Sequence, residues 1–260
     1  MMNFVSTWLI AAHTLVITLA QHAGKYTLNL GPFDISYDVN EEHEVVFTLS
    51  SNRPGLPNYN NYGPYPLREF GPSTYVVDFR GATYDVFAWY YTLQAYLVAS
   101  RLVDPDTMPP LAGIQTGDLI TIIYQDVYTF TTMLRNEVVA VELVSRPMKD
   151  STYVYKAPGN PPSLEIWFSA FSDPVRIWFA CNGVYTNNIG IYYYRDTDLD
   201  YEPYVVKPSY EPDMKELLKQ ARRVCPGERV DDSDLGQVVA ATDKTIYLTF
   251  GGATRTLTKF

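Results

Sequence analysis

The stretch Leu164-Glu165-Ile166-Trp167-Phe168-Ser169-Ala170-Phe171-Ser172-Asp173-Pro174-Val175-Arg176-Ile177-Trp178-Phe179-Ala180-Cys181 decides the fold. It contains a near-repeat, Glu-Ile-Trp-Phe at 165–168 and Arg-Ile-Trp-Phe at 176–179, on either side of the turn-forming triplet Ser172-Asp173-Pro174. Apolar and polar positions alternate with period two, which suits an extended chain with one face in a core. Two such runs around a turn read as a hairpin. With Ser172 and Asp173 at its centre, counting outward sets Trp167 opposite Trp178 and Phe168 opposite Ile177, so both tryptophans share a face. We read that face as buried, making the hairpin the centre of the C-terminal core; the alternative is an exposed platform for sugar rings.

The same alternation recurs along the chain. Candidate strands occupy 25–30, 33–39, 44–50, 74–80, 118–125, 137–145, 164–170, 175–181, 189–195, 244–250 and 253–258, rich in β-branched and aromatic residues and closely punctuated by turn residues. This predicts a mostly antiparallel all-β protein with sandwich-like modules, a sandwich or barrel. One amphipathic helix is expected over 212–224: Met214, Leu217, Leu218, Ala221 and Val224 line one face, Pro212 suits the first turn, and Cys225-Pro226-Gly227 ends it. The segment 83–103 fits either period and is read as two strands broken near Thr92, with a helix as the alternative. The Pro- and Gly-rich run at 104–117 is read as a linker between a β module at 21–103 and a larger one at 118–260, the alternative being one large sandwich. Residues 26–39, YTLNLGPFDISYDV, resemble over a few positions the secreted β modules that some blood parasites carry in many copies; no function is carried over from them.

The chain has 260 residues, of which 15% are aromatic, and a net charge of -9 with three histidines. Residues 1–20 read as a signal peptide whose apolar run, Trp8 to Ala12 and then Leu15 to Ala20, ends in small side chains, with cleavage expected after Ala20 and Ala23 as the alternative. No Lys or Arg precedes that run, and His13 interrupts it. No later stretch reaches the roughly 18 apolar residues of a spanning helix, so no membrane insertion is expected after cleavage. The acidic charge argues against nucleic acid as a partner. In an oxidising compartment Cys181 and Cys225 are expected to form a disulfide; closing that loop removes about 4 kcal/mol of unfolded-chain entropy in the simplest model.

Few residues carry the signature of chemistry. After cleavage only His22 and His43 remain, and His43 stands among Glu41, Glu42 and Glu44 as an exposed turn residue with no nucleophile motif elsewhere. No zinc spacing, phosphate loop or dinucleotide fingerprint occurs, and no cofactor is expected. Glu165, flanked by Ile166 and Trp167, is the one candidate for a glycosidase carboxylate, against the plainer reading of an outward strand residue. Asp196, Asp198 and Asp200 alternate as calcium ligands do, but Tyr201 replaces the glycine and Lys207 the glutamate of an EF-hand loop, leaving a solvated acidic connection as the plainer reading.

The segment 52–73, NRPGLPNYNNYGPYPLREFGPS, reads as an unusually long loop. Tyr59, Tyr62, Tyr65 and Phe70, with Asn58 and Asn60, resemble the composition of antibody-like binding loops; self-packing of the loop is the competing reading. A second aromatic set, Tyr185, Tyr192, Tyr193, Tyr194, Tyr201, Tyr204 and Tyr210, reads as core filling. The expectation is a secreted, non-enzymatic binding protein, a host-directed or cell-surface interaction factor, whose tyrosine-rich loop engages a protein or glycan. The alternatives are a carbohydrate-active enzyme using a carboxylate pair and a structural surface component.

Overall fold

The computed structural model describes residues 21–51, 59–103, 114–171, 173–199 and 201–260. It is mostly antiparallel β, as the alternation predicts, with a C-terminal helix. Strands β1 (Gly24–Asn29), β2 (Phe33–Val39), β3 (Glu44–Ser51), β4 (Tyr59–Gly71), β5 (Thr74–Val77), β6 (Thr121–Tyr124), β7 (Thr129–Leu134) and β8 (Glu137–Val144) close into a barrel. Closure comes from β8 pairing with β1, Tyr26 lying opposite Leu143. The interior of an eight-stranded barrel is narrow enough for side chains to fill. Tyr26, Tyr37, Phe47 and Phe130 fill it, their rings packed edge-on or tilted.

Three expectations change here. The segment 83–103 is not a strand pair: helix α1 runs Val86–Ala99. Trp89, Leu93, Tyr96 and Leu97 are its buried residues, a helical period that docks on inward-facing barrel residues, Trp89 stacking on Phe47 at 4.4 Å and Tyr96 on Phe33 at 5.4 Å. Asp85 caps it, accepting a hydrogen bond from the Ala88 N–H at 2.8 Å. The segment 52–73 is not one long loop, because β4 spans most of it and pairs with β3 and β5. The division at 104–117 also fails to separate modules, since β6, β7 and β8 complete the barrel that β1 to β5 begin. That long-range pairing leaves no mark in the local pattern.

The second sheet has ten strands: β9 (Thr152–Lys156), β10 (Glu165–Ser169), β11 (Val175–Cys181), β12 (Val184–Tyr185), β13 (Ile189–Ile191), β14 (Tyr193–Arg195), β15 (Tyr204–Val206), β16 (Gln237–Ala240), β17 (Thr245–Phe250) and β18 (Ala253–Lys259). It curves as a half-barrel. Ile166, Phe168, Ile177 and Phe179 point inward to a core shared with helix α2 (Glu211–Val224), which buries Met214, Leu217, Leu218 and Ala221. Cys181 at the end of β11 and Cys225 at the C-cap of α2 are bonded, their Cα atoms 5.3 Å apart, tying helix to sheet. This disulfide fits an oxidising compartment. Among the described residues no helix is long and apolar enough to cross a membrane.

The two parts share core. Val239, Ala241 and Tyr247 on the outer side of β16 and β17 join the barrel's cluster, and the Tyr247 hydroxyl donates to the Ala23 carbonyl at 2.8 Å. Glu41, in the β2–β3 turn, accepts hydrogen bonds from the Thr242 and Thr245 hydroxyls. Burial would raise its pKa, but those two bonds and nearby Lys244 outweigh it and keep the carboxyl below its usual value.

The predicted hairpin register holds: Trp167 faces Trp178 and Phe168 faces Ile177. The face does not match the expectation. Ile166, Phe168, Ile177 and Phe179 take the core, so both tryptophans lie on the outer side, half-buried. Alternation allows only one of the two sets inside, and α2 covers the isoleucine–phenylalanine set.

Candidate functional site

Strand β4 is built around an irregularity. Val45 pairs with Tyr65 and Phe47 with Tyr62, so β4 spends three steps where β3 spends two. In regular pleat Tyr62 and Tyr65 would point to opposite faces; the extra residue re-phases the strand and turns both toward α1. Gly63 makes the bulge possible, with φ +121° and a backbone so close to Val45 that no Cβ fits.

The result is a groove of about 650 Å³ between β4 and the chain that leads into α1, lined by Asn61, Tyr62, Tyr65, Thr83 and Tyr84 among others. The Tyr62 ring lies 5.4 Å from Tyr84 and meets Trp89 edge-on at 5.8 Å. Tyr65 is buried and packs on Phe79 at 4.5 Å. Its hydroxyl is also buried and has no hydrogen-bond partner among the described residues. Burial, then the neighbouring Tyr62 and Tyr84, push its pKa up, so it keeps its proton as a neutral donor. A buried hydroxyl without a partner carries a desolvation cost that a ligand acceptor would relieve. Other buried tyrosines here spend theirs on backbone carbonyls, Tyr26 on Val127 at 2.9 Å and Tyr193 on Leu235 at 2.9 Å.

Past the groove, Phe87 and Tyr91 project from α1 at 79% and 73% exposure. Four residues apart, they form one stripe on the helix face away from the core. Among the described residues, the groove lining contains no histidine, cysteine or carboxylate. What it offers is ring surface and hydroxyl donors.

Of the residues singled out from sequence, the structure brings Tyr62 and Tyr65 together here. Tyr65 is core as well as lining, so an alanine there would remove packing along with ring surface. Phe70 is 76% exposed near the far end of β4 and does not line the groove. Asn58 and the side chains of Tyr59 and Asn60 lie outside the described residues. Tyr84, Phe87 and Tyr91 were not singled out as ligand-facing; their spacing of three and four was the available signal.

Glu165 lies on the outer face of β10, 3.6 Å from Lys156 Nζ, and accepts the Trp167 indole N–H at 3.2 Å. By register its face on β9, β11, β12 and β18 carries no second carboxylate, so no glycosidase pair forms there. Asp196 accepts the Asp198 backbone N–H at 3.1 Å, Asp200 lies outside the described residues, and no group of three metal-ligating side chains occurs among those described. His43 is exposed in the β2–β3 turn, its ring 2.6 Å from Gln21 Oε1. No protein-family model matches the chain, and no curated protein matches it in sequence.

Proposed function

We propose that this chain is a non-enzymatic binding protein of an oxidising, extracellular compartment, which seats a segment of a protein partner in the groove between β4 and α1. The observation that carries the reading is the buried Tyr65 hydroxyl, without a partner among the described residues, in a groove walled by tyrosine and continued by exposed Phe87 and Tyr91. Aromatic side chains supply much contact area for little lost rotamer entropy, and such residues dominate binding hot spots. A lining that, among the described residues, holds no histidine, cysteine or carboxylate favours holding over turnover. Export belongs to the same proposal, supported by the disulfide and the apolar leader.

The test is capture of partners by the mature protein from cell and fluid extracts, read by mass spectrometry, with wild type beside Phe87→Ser/Tyr91→Ser and Tyr65→Phe. Both variants leave the core filled. The reading expects them to lose the captured species while melting at the wild-type temperature; capture unchanged in both would overturn it.

A further inference from the structure

We propose that the outer face of β10 and β11 is a second binding site, for an acidic saccharide, with the Trp167–Trp178 pair receiving a sugar ring and Arg176 receiving its acidic group. The site is separate from the groove and does not depend on it.

The geometry comes from the register. Trp167 and Trp178 are direct cross-strand partners, and their rings are parallel within 10° at a centroid distance of 5.5 Å. Several of their neighbours on the same face are small. Val154 lies beside Trp167, and Ser169 and Ala180 stand two residues along each strand. Gly190, opposite Arg176, contributes no side chain. The two half-buried indoles stack on each other, Lys156 Nζ lies over the Trp167 ring at 5.4 Å, and the ring that remains open to a ligand is Trp178, while the other face of this sheet is packed against α2. Phe260, 81% exposed, tilts onto Trp167 at 5.4 Å, and Tyr185 borders the face beside Ala180. The apolar C–H face of a pyranose buries its surface on such rings while its hydroxyls stay in water or meet polar neighbours.

Charge selects among sugars. The chain is acidic overall, at -9, yet among the side chains that β9, β10 and β11 turn to this face Lys156 and Arg176 stand against Glu165. Glu165 is neutralised in place by Lys156 and the Trp167 N–H. Arg176 is exposed, sits across from Ser169, and makes no ion pair among the described residues. It stands two residues from Trp178 on one face, about 7 Å along the strand. A guanidinium at that distance from an aromatic pair matches a carboxylate or sulfate carried on a ring stacked there. Carboxylated and sulfated saccharides share this chemistry.

The experiment titrates the full mature protein with three probes: a sulfated heparin oligosaccharide, a carboxylated hyaluronan oligosaccharide and a neutral cello-oligosaccharide. Binding is followed by tryptophan fluorescence and calorimetry. The proposal expects at least one acidic probe to bind more tightly than the neutral one, with Trp178→Ala weakening it about tenfold or more and Arg176→Gln removing the preference for acid. Both side chains lie outside the core, and unchanged melting of each variant checks that the fold is intact. The two acidic probes tell sulfate from carboxylate. Binding of none of the three, equal binding of neutral and acidic probes, or acidic binding unaffected by Trp178→Ala would overturn the proposal.

Discussion

A Cβ built on Gly63 would stand 2.7 Å from the carbonyl oxygen of Val45. That close approach, in a residue at φ +121°, is the bulge that puts Tyr62 and Tyr65 on one side of β4. Gly63→Ala must push the two strands apart and strain its own backbone. We expect a loss of about 1–3 kcal/mol in urea unfolding together with weaker partner capture. Wild-type stability in this variant would show that β4 tolerates regular pairing.

Tyr65 separates packing from binding. Its ring fills the space beside Phe47 and Phe79, while its hydroxyl is buried with no partner among the described residues. Tyr65→Ala should lose about 3–5 kcal/mol, as large buried aromatics do. Tyr65→Phe should fall within about 1 kcal/mol of wild type or gain, because it removes an unsatisfied polar atom. Chemical denaturation of the pair decides; a large loss in Tyr65→Phe would reveal a native partner for the hydroxyl.

Much of the fold was legible because strand alternation is local. Trp167 against Trp178 followed from the turn residues between them, and α2 from its apolar face and its stop signal. What was not legible has physical causes. In α1 the outward Phe87 and Tyr91 are as apolar as the inward Trp89 and Leu93, so the helical period is blurred by residues exposed to solvent. In β4, Gly63, Pro64 and Pro66 read as loop punctuation, although a bulged strand accommodates all three. Barrel closure joins Tyr26 to Leu143, a contact no window of neighbouring residues contains. The site was half visible: Tyr62 and Tyr65 came from composition, while their wall of Tyr84 and Trp89 depended on the helix being recognised.

The Cys181–Cys225 bond closes a span of 44 residues and fastens the end of α2 to β11. Its removal by Cys181→Ser/Cys225→Ser should lower stability by up to about 4 kcal/mol in the chain-entropy model. Reduction of the wild-type protein should produce a similar fall. Urea titration with and without reductant measures both, and reductant should leave the double variant unmoved. Equal stability in all four samples would mean that the inner face holds α2 unaided.

His22 makes stability depend on pH. Its ring lies edge-on to Tyr124 at 5.3 Å and Tyr247 at 6.1 Å, and its buried Nε2 has no partner among the described residues. Burial lowers its pKa below 6.5, with Asp126 opposing the shift. The folded protein therefore keeps the ring neutral at a pH where the unfolded chain already binds a proton. Stability from this group is complete above 6.5 and is lost as pH falls from there toward the lowered folded value. Most exposed carboxylates stay ionised until about pH 5, so melting at about pH 7.5 and about pH 5.5 samples chiefly the histidines. The exposed His43 is common to both proteins under comparison. Wild type should lose more melting temperature between the two conditions than His22→Gln, which has nothing to protonate. Equal losses would mean that the cage of Tyr124 and Tyr247 does not hold the ring uncharged.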